Sequence, residues 1–153
     1  MSKLFFRALL IAAVALSVLS GAVLADKSYP RWATNAPAIG GYDATAYFNH
    51  GTARRGDNFV VAWNGASWRF ASAGEAAAFK ANPTAYQPQF GAYCTGGLSQ
   101  GHVVNGNPEI WRLHDGKLYM FYARAGAKRF DKDPAGTIAA AARNATKFGI
   151  VKE

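Results

Sequence analysis

Apolar residues recur at every second position in two stretches of the chain, and a two-residue turn signal splits each stretch. Phe59, Val61 and Trp63 alternate before Asn64-Gly65, and Ala66, Trp68 and Phe70 alternate after it. A period of two marks a half-buried strand, and Asn-Gly between two such runs is the strongest short hairpin signal, because both turn residues must take positive φ. Pairing outward from that turn sets Trp63 opposite Ala66, Val61 opposite Trp68 and Phe59 opposite Phe70, with the large apolar residues on one face. The segment "EIWRLHDGKLYMFY" repeats the arrangement about Asp115-Gly116, pairing Leu113 with Leu118 and Trp111 with Met120.

Helical signals lie around these hairpins. Ser72 and Glu75 have the S-x-x-E spacing of a capping box and open the alanine-rich run "GEAAAFKAN", which Asn82-Pro83 terminates and from which Phe79 points inward. Asp133 caps a last helix with Pro134 at its first position, running to about Lys147 with Gly149 beyond its end. In "GGYDATAYF", Asp43 is placed to cap a short helical turn that Gly51 stops. Two hairpins and two main helices predict one small α+β domain over residues 39–150. Residues 26–38, "DKSYPRWATNAPA", carry two prolines and no apolar period, which predicts an extended lead-in.

The first 25 residues follow a different logic. Lys3 and Arg7 precede an apolar run, and the run ends in Val23-Leu24-Ala25, with small residues three and one positions before Asp26. Those three parts predict a signal peptide cleaved after Ala25 and a periplasmic or secreted product. An uncleaved anchor is the competing expectation, because the run from Ala8 to Ala25 approaches the roughly 20 apolar residues of a spanning helix. Gly21 and the small-residue ending favour cleavage, and nothing later in the chain is long and apolar enough to span a bilayer.

Cleavage would remove two of 17 basic residues and none of the nine acidic ones, so the exported product stays basic. Its charges are dispersed, with doublets only at Arg54-Arg55 and Lys128-Arg129, and no basic stripe with interleaved aromatics points to a nucleic acid partner. A single cysteine, Cys94, closes no disulfide within the chain, so stability has to come from an aromatic core.

The stretch from Trp63 to Tyr86, "WNGASWRFASAGEAAAFKANPTAY", resembles the core of the YHS domain. That core reads aromatic, x, Gly, two residues, aromatic, x, Phe, x, Ser, then a helix ending in Phe, three residues, Pro, two residues and Tyr. Gly65, Trp68, Phe70, Ser72, Phe79, Pro83 and Tyr86 stand in those places. The likeness extends through "GGYDATAYF", "FGAYCTGGLSQG" and "DGKLYMFY", and nearly the whole exported chain is similar to the exported bacterial subgroup of YHS domain-containing (seleno)proteins. The resemblance implies a YHS/TRASH-like core and association with heavy metals. Members with the clearest metal case carry Phe-Cys-Ser-x-x-Cys at the start of the helix, where this chain has Phe70, Ala71, Ser72, Ala73, Gly74 and Glu75. Both thiolates of that pair are absent.

The remaining chemistry centres on "GAYCTGGLSQGH", where Cys94 and His102 lie in a segment with four glycines. Three readings of Cys94 stand open. With His102 it supplies two soft donors for copper or zinc, a site that would draw a third donor such as His50 or His114 from elsewhere. Near the start of a short helical turn it would be a reactive thiol needing a partner thiol protein to complete a redox cycle. The resemblance adds that some subgroup members place selenocysteine at this position. In the third reading Cys94 is a small buried hydrophobe, and the protein is a non-catalytic interaction module. His50 beside Gly51 and His114 beside the Asp115-Gly116 turn are expected to face solvent. Gly97-Leu98-Ser99-Gln100-Gly101 has hydrolase-elbow spacing, but the chain is too short for a hydrolase sheet. No acidic residues pair at a spacing that suggests acid–base catalysis. The chain is therefore expected to bind or sense rather than to catalyse.

Overall fold

A computed structural model describes residues 37–151; the proposed signal peptide and residues 26–36 of the proposed lead-in lie outside them. Strands β1 (Phe59–Trp63) and β2 (Ala66–Phe70) form one antiparallel hairpin, and β3 (Asn107–His114) and β4 (Lys117–Phe121) form another. Six α-helical segments accompany them: α1 (Ala46–Asn49), α2 (Ala73–Ala81), α3 (Pro83–Tyr86), α4 (Thr95–Ser99), α5 (Arg124–Lys132) and α6 (Pro134–Lys147). The result is a small α+β domain.

Both hairpins have the register that their turn residues dictate. Trp63 pairs with Ala66, Val61 with Trp68 and Phe59 with Phe70; Leu113 pairs with Leu118 and Trp111 with Met120. Asn64, Gly65, Asp115 and Gly116 all hold positive φ, the geometry that matches the right-handed twist of the flanking strands. The apolar face of the first hairpin is not buried along its whole length. Trp68 and Phe70 are fully covered, whereas Phe59 at the open end is 42% exposed because the face runs past the core there.

Ser72 caps α2 as its spacing requires: its Oγ accepts the Glu75 N–H at 3.2 Å and its hydroxyl donates to Glu75 Oε2 at 3.0 Å. Pro83 ends α2 and opens the separate turn α3, its fixed φ suiting a first helical position. The Phe79 ring lies 4.8 Å from Trp68 and 4.9 Å from Phe70, tilted against both, so α2 is sealed onto the first hairpin by aromatic contact. On α6, Asp133 Oδ1 accepts the Gly136 N–H at 2.9 Å.

The expectation of two main helices is corrected by α5, nine residues long. Ala123, which precedes it, offers no capping side chain, and the helix is strongly polar, burying only Gly126, Ala127 and Phe130. Tertiary contact rather than local signal sustains it, since Phe130 packs on Tyr119 at 5.4 Å and on Phe121 at 5.1 Å. No described helix is long and apolar enough to cross a membrane.

The second hairpin joins the two halves of the core. Leu118 and Met120 face the cluster around Trp68, Phe70 and Phe79, while Tyr119 and Phe121 face Cys94 and Phe130. Beyond them α4 packs on α6, with Leu98 against Ala141 and Ala145. Asn144 donates to Leu98 O at 2.7 Å and so ties the two helices together.

Candidate functional site

Cys94 is the N-cap residue of α4, and its Sγ accepts the Gly97 N–H at 3.2 Å. The chain then closes on itself. The Cys94 N–H donates to Val104 O at 2.8 Å, and the His102 N–H donates to Gly97 O at 2.9 Å. Gly97 thus binds the sulfur through its N–H and the backbone of His102 through its carbonyl.

The glycines make this closure sterically possible. A Cβ on Gly97 would lie 2.9 Å from Val104 Cγ2 and 3.2 Å from His102 O, whereas one on Gly96 would make only ordinary contact with Gly126 Cα at 3.4 Å. On Gly106, just past the loop, it would meet Met120 Cβ at 2.5 Å and Ala92 O at 2.6 Å. At Gly97 and Gly106 the missing side chain thus permits close packing. Gly101, at φ 82° after α4, and Gly91, at φ 61° before Cys94, instead hold left-handed conformations.

The two residues singled out from sequence therefore sit differently. Cys94 is 4% exposed and packs with Tyr119, Phe121, Ala127 and Phe130. Burial also raises the Tyr119 phenol above its ordinary pKa, with the nearby Asp115 charge adding to the effect, so this wall stays neutral. His102 is exposed. Thr95, fully buried beside Cys94, leaves its Oγ1 without a hydrogen-bond partner. Copper or zinc in a tetrahedral protein site takes several thiolate or imidazole donors, and among the described residues no three of His, Cys, Asp or Glu are grouped to hold an ion. Cys94 and His102 alone do not fit such a metal.

His114 and His50 do not supply a third donor. The His114 ring packs edge-on against Phe130 at 5.8 Å, with Nε2 3.5 Å from Asp115 Oδ2, so it is half-buried rather than simply solvated. His50 does face solvent, with 47% of its side chain exposed, but its Nε2 also lies 2.9 Å from Glu75 Oε1.

That contact belongs to a charged cluster that the sequence did not reveal. Asp43 is fully buried; its Oδ1 accepts the Thr45 N–H at 2.9 Å and the Thr45 hydroxyl at 2.7 Å, while Oδ2 accepts the Ala71 N–H at 3.0 Å. Arg54 Nη2 donates to Glu75 Oε1 and stands 3.7 Å from Asp43 Oδ2. One guanidinium therefore balances two carboxylates that come from different parts of the chain. Burial pushes the Glu75 carboxyl up, but hydrogen bonds from His50 and Ser72 and the Arg54 charge outweigh it and hold the group below its ordinary value. Glu75 and Ala71 occupy the places where the resemblance would put thiolates. Here the carboxylate is engaged by Arg54, His50 and Ser72, and the Ala71 N–H is engaged by Asp43. Asp43 and Glu75 each look like a purely local cap in sequence, and separations of 21 to 28 residues conceal their meeting through Arg54 and Ala71.

Comparison with family models, curated proteins and solved structures finds no match for the chain.

Proposed function

We infer that this protein is an exported, non-catalytic binding or sensing domain of the YHS type, in which Cys94 is an architectural residue. The burial of Cys94 carries this reading. At 4% exposure, with Sγ accepting the Gly97 N–H and aromatic side chains packed around it, the thiol has neither the access nor the partner that attack on a substrate requires. Support for the YHS core comes from Trp68, Phe70 and Phe79, motif residues that pack on one another, with Tyr86 alongside. The amino-terminal pattern of Lys3, Arg7, the apolar run and Ala25 supports export.

Two competing proposals share the same residue. Copper or zinc held by Cys94 and His102 would require the loop to open and a further donor to join. A thiol-redox role would require the sulfur to reach a partner thiol protein. One pair of measurements separates them from the architectural reading. Native mass spectrometry with copper or zinc is expected to show no uptake that depends on Cys94, by comparison with Cys94→Ser. Alkylation by iodoacetamide is expected to be at least about tenfold slower in the folded protein than in denaturant. Metal uptake lost in Cys94→Ser and His102→Ala would establish the metal reading. Folded-state alkylation or peroxide oxidation as fast as in the unfolded chain would establish the redox one.

A further inference from the structure

Features of the first half of the domain recur in the second, 51 residues on. The turn at Asn64-Gly65 is matched by Asp115-Gly116, the nine-residue helix α2 (Ala73–Ala81) by α5 (Arg124–Lys132), and Asn82-Pro83 by Asp133-Pro134. The same rings meet in each hairpin–helix pair: Phe79 lies 4.8 Å from Trp68 and 4.9 Å from Phe70, and Phe130 lies 5.4 Å from Tyr119 and 5.1 Å from Phe121. Asn82 and Asp133 share a backbone conformation, with φ and ψ of −149° and 72° in one and −150° and 78° in the other.

The segments ahead of the hairpins match as closely. Ile39, Gly40 and Gly41 have φ of 46°, 64° and 80°, and Phe90, Gly91 and Ala92 have φ of 53°, 61° and 63°. Positive φ at a bulky residue is uncommon, so two such runs at the same distance from a hairpin call for a common cause. Tyr42 and Tyr93 follow, each in an antiparallel bridge, to Arg55 and to Asn105. The Gly56 N–H donates to Gly41 O at 2.8 Å, as the Gly106 N–H donates to Ala92 O at 2.9 Å. A Cβ on Gly56 would lie 2.7 Å from Arg69 Cβ, where one on Gly106 would lie 2.5 Å from Met120 Cβ. From Gly51 and Gly101 to Gly56 and Gly106 the offset is 50 residues, and the bulge of β3 between Asn107 and Trp111 restores 51.

We infer that the domain is two tandem copies of one unit, residues 37–87 and 88–151, in which Asp43 and Cys94 fill the same socket. The Asp43 N–H donates to Arg54 O at 2.8 Å and the Cys94 N–H donates to Val104 O at 2.8 Å. Each side chain then accepts a backbone N–H from the helical turn beyond it, Thr45 in one case and Gly97 in the other. Both sockets are buried, whereas the flanking positions are open: the Arg54 side chain is 41% exposed and Val104 39%. Arg54 lets the first socket hold a carboxylate; Val104 brings no charge, so the second holds a neutral thiol. Neither unit closes its own core. The second hairpin covers the first through Leu118 and Met120, and α6 covers the second through Ile138 and Ala141.

Exchanging the socket chemistry, read by thermal melts of the purified protein at pH 7, tests the correspondence. Cys94→Asp should lower the melting temperature by about 10 °C or more, because it buries a carboxylate with no cation beside it. Adding Val104→Arg should recover at least about half of that loss, since residue 104 stands to 94 as Arg54 stands to Asp43. Adding Val103→Arg instead, at the exposed neighbouring position, should recover little. If Cys94→Asp alone does not fold, the two double variants are compared with each other. No advantage of Val104→Arg over Val103→Arg would overturn the inference. Gly56→Ala and Gly106→Ala should also lower the melting temperature by amounts within about twofold of each other, given the equivalent crossings. A Gly56→Ala protein that melts with the wild type would overturn it too. The inference rests on the architectural reading of Cys94, and the two fail separately. Fast alkylation in the folded state defeats that reading alone, whereas a failed rescue defeats the socket equivalence and leaves Cys94 buried.

Discussion

The backbone N–H of Gly97 donates to the sulfur of Cys94 across 3.2 Å, making the lone cysteine the cap of a five-residue helix. A hydroxyl does this better than a thiol, since serine is among the preferred N-cap residues. Cys94→Ser is therefore expected to cost under about 1 kcal/mol, whereas Cys94→Ala, which removes the cap, should cost about 1–2 kcal/mol. Urea denaturation of the two variants measures the difference. Alanine tolerated better than serine would mean that the sulfur matters only as apolar volume.

Gly106 allows a second crossing to form. Its N–H donates to Ala92 O at 2.9 Å, and a Cβ there would lie 2.6 Å from that oxygen and 2.5 Å from Met120 Cβ. Backbone and core must both shift to admit a methyl group. Gly106→Ala should destabilise the protein by about 1–3 kcal/mol, although alanine ordinarily gains stability by restricting the unfolded chain. Gly65→Ala makes a useful comparison: nothing lies within 4 Å of its Cβ, so its cost comes from positive φ alone. A Gly106→Ala protein that melts with the wild type would disprove the close crossing.

Gly97 and Gly106 show where sequence stopped being informative. Asn64-Gly65 and Asp115-Gly116 announce their turns because the required φ belongs to the dipeptide itself, and Ser72 and Asp133 announce their helices because a cap is a local bond. The reasons for Gly97 and Gly106 lie across the fold, in Val104, His102 and Met120. The helix α5 escaped notice for a related reason: Ala123 does not cap it, and its stability comes from Phe130 meeting two residues of β4. Ile39 and Phe90, with φ of 46° and 53°, hold left-handed turns that no glycine or asparagine at those positions signals. As for the site, the sequence brought Cys94 and His102 into view but not the burial of one and the exposure of the other. The Asp43–Arg54–Glu75–His50 cluster depends wholly on tertiary approach.

Arg112 and Asp131 make the best-formed ion pair on the surface described, with Nε and Nη2 each 2.7 Å from a carboxylate oxygen. Through this bond the Asp131 carboxylate raises the Arg112 pKa, and the guanidinium holds the Asp131 carboxyl below its ordinary value. Both side chains are open to water, 39% and 44% exposed, so solvent screens most of the attraction. Asp131→Asn should cost only about 0.2–1 kcal/mol, and the loss should shrink further in about 1 M salt. Thermal melts at low and high salt check both statements. A loss above about 2 kcal/mol would mean that the pair fixes α5 on β3 more firmly than a surface pair does.

Glu75 presents the opposite case, because its side chain is only 10% exposed and its partners come from two other segments. Glu75→Gln leaves the Arg54 guanidinium beside Asp43 with a weakened second acceptor and deprives His50 of its carboxylate. A loss of about 1–3 kcal/mol at neutral pH is expected, within the range for hydrogen bonds to charged groups. The pH dependence follows from the direction of the Glu75 shift. Its folded pKa lies below the ordinary value of 4.5, so its contribution is present in full above that value and disappears as pH falls through the lower folded one. Protonation of the wild-type carboxyl then produces what the glutamine variant has permanently. Urea midpoints for the two proteins between pH 7 and pH 3 should therefore differ most near neutrality and converge below about pH 4.5. A gap that stays constant down to pH 3 would show that Glu75 acts through its shape and neutral hydrogen bonds, not through its charge between Arg54 and His50.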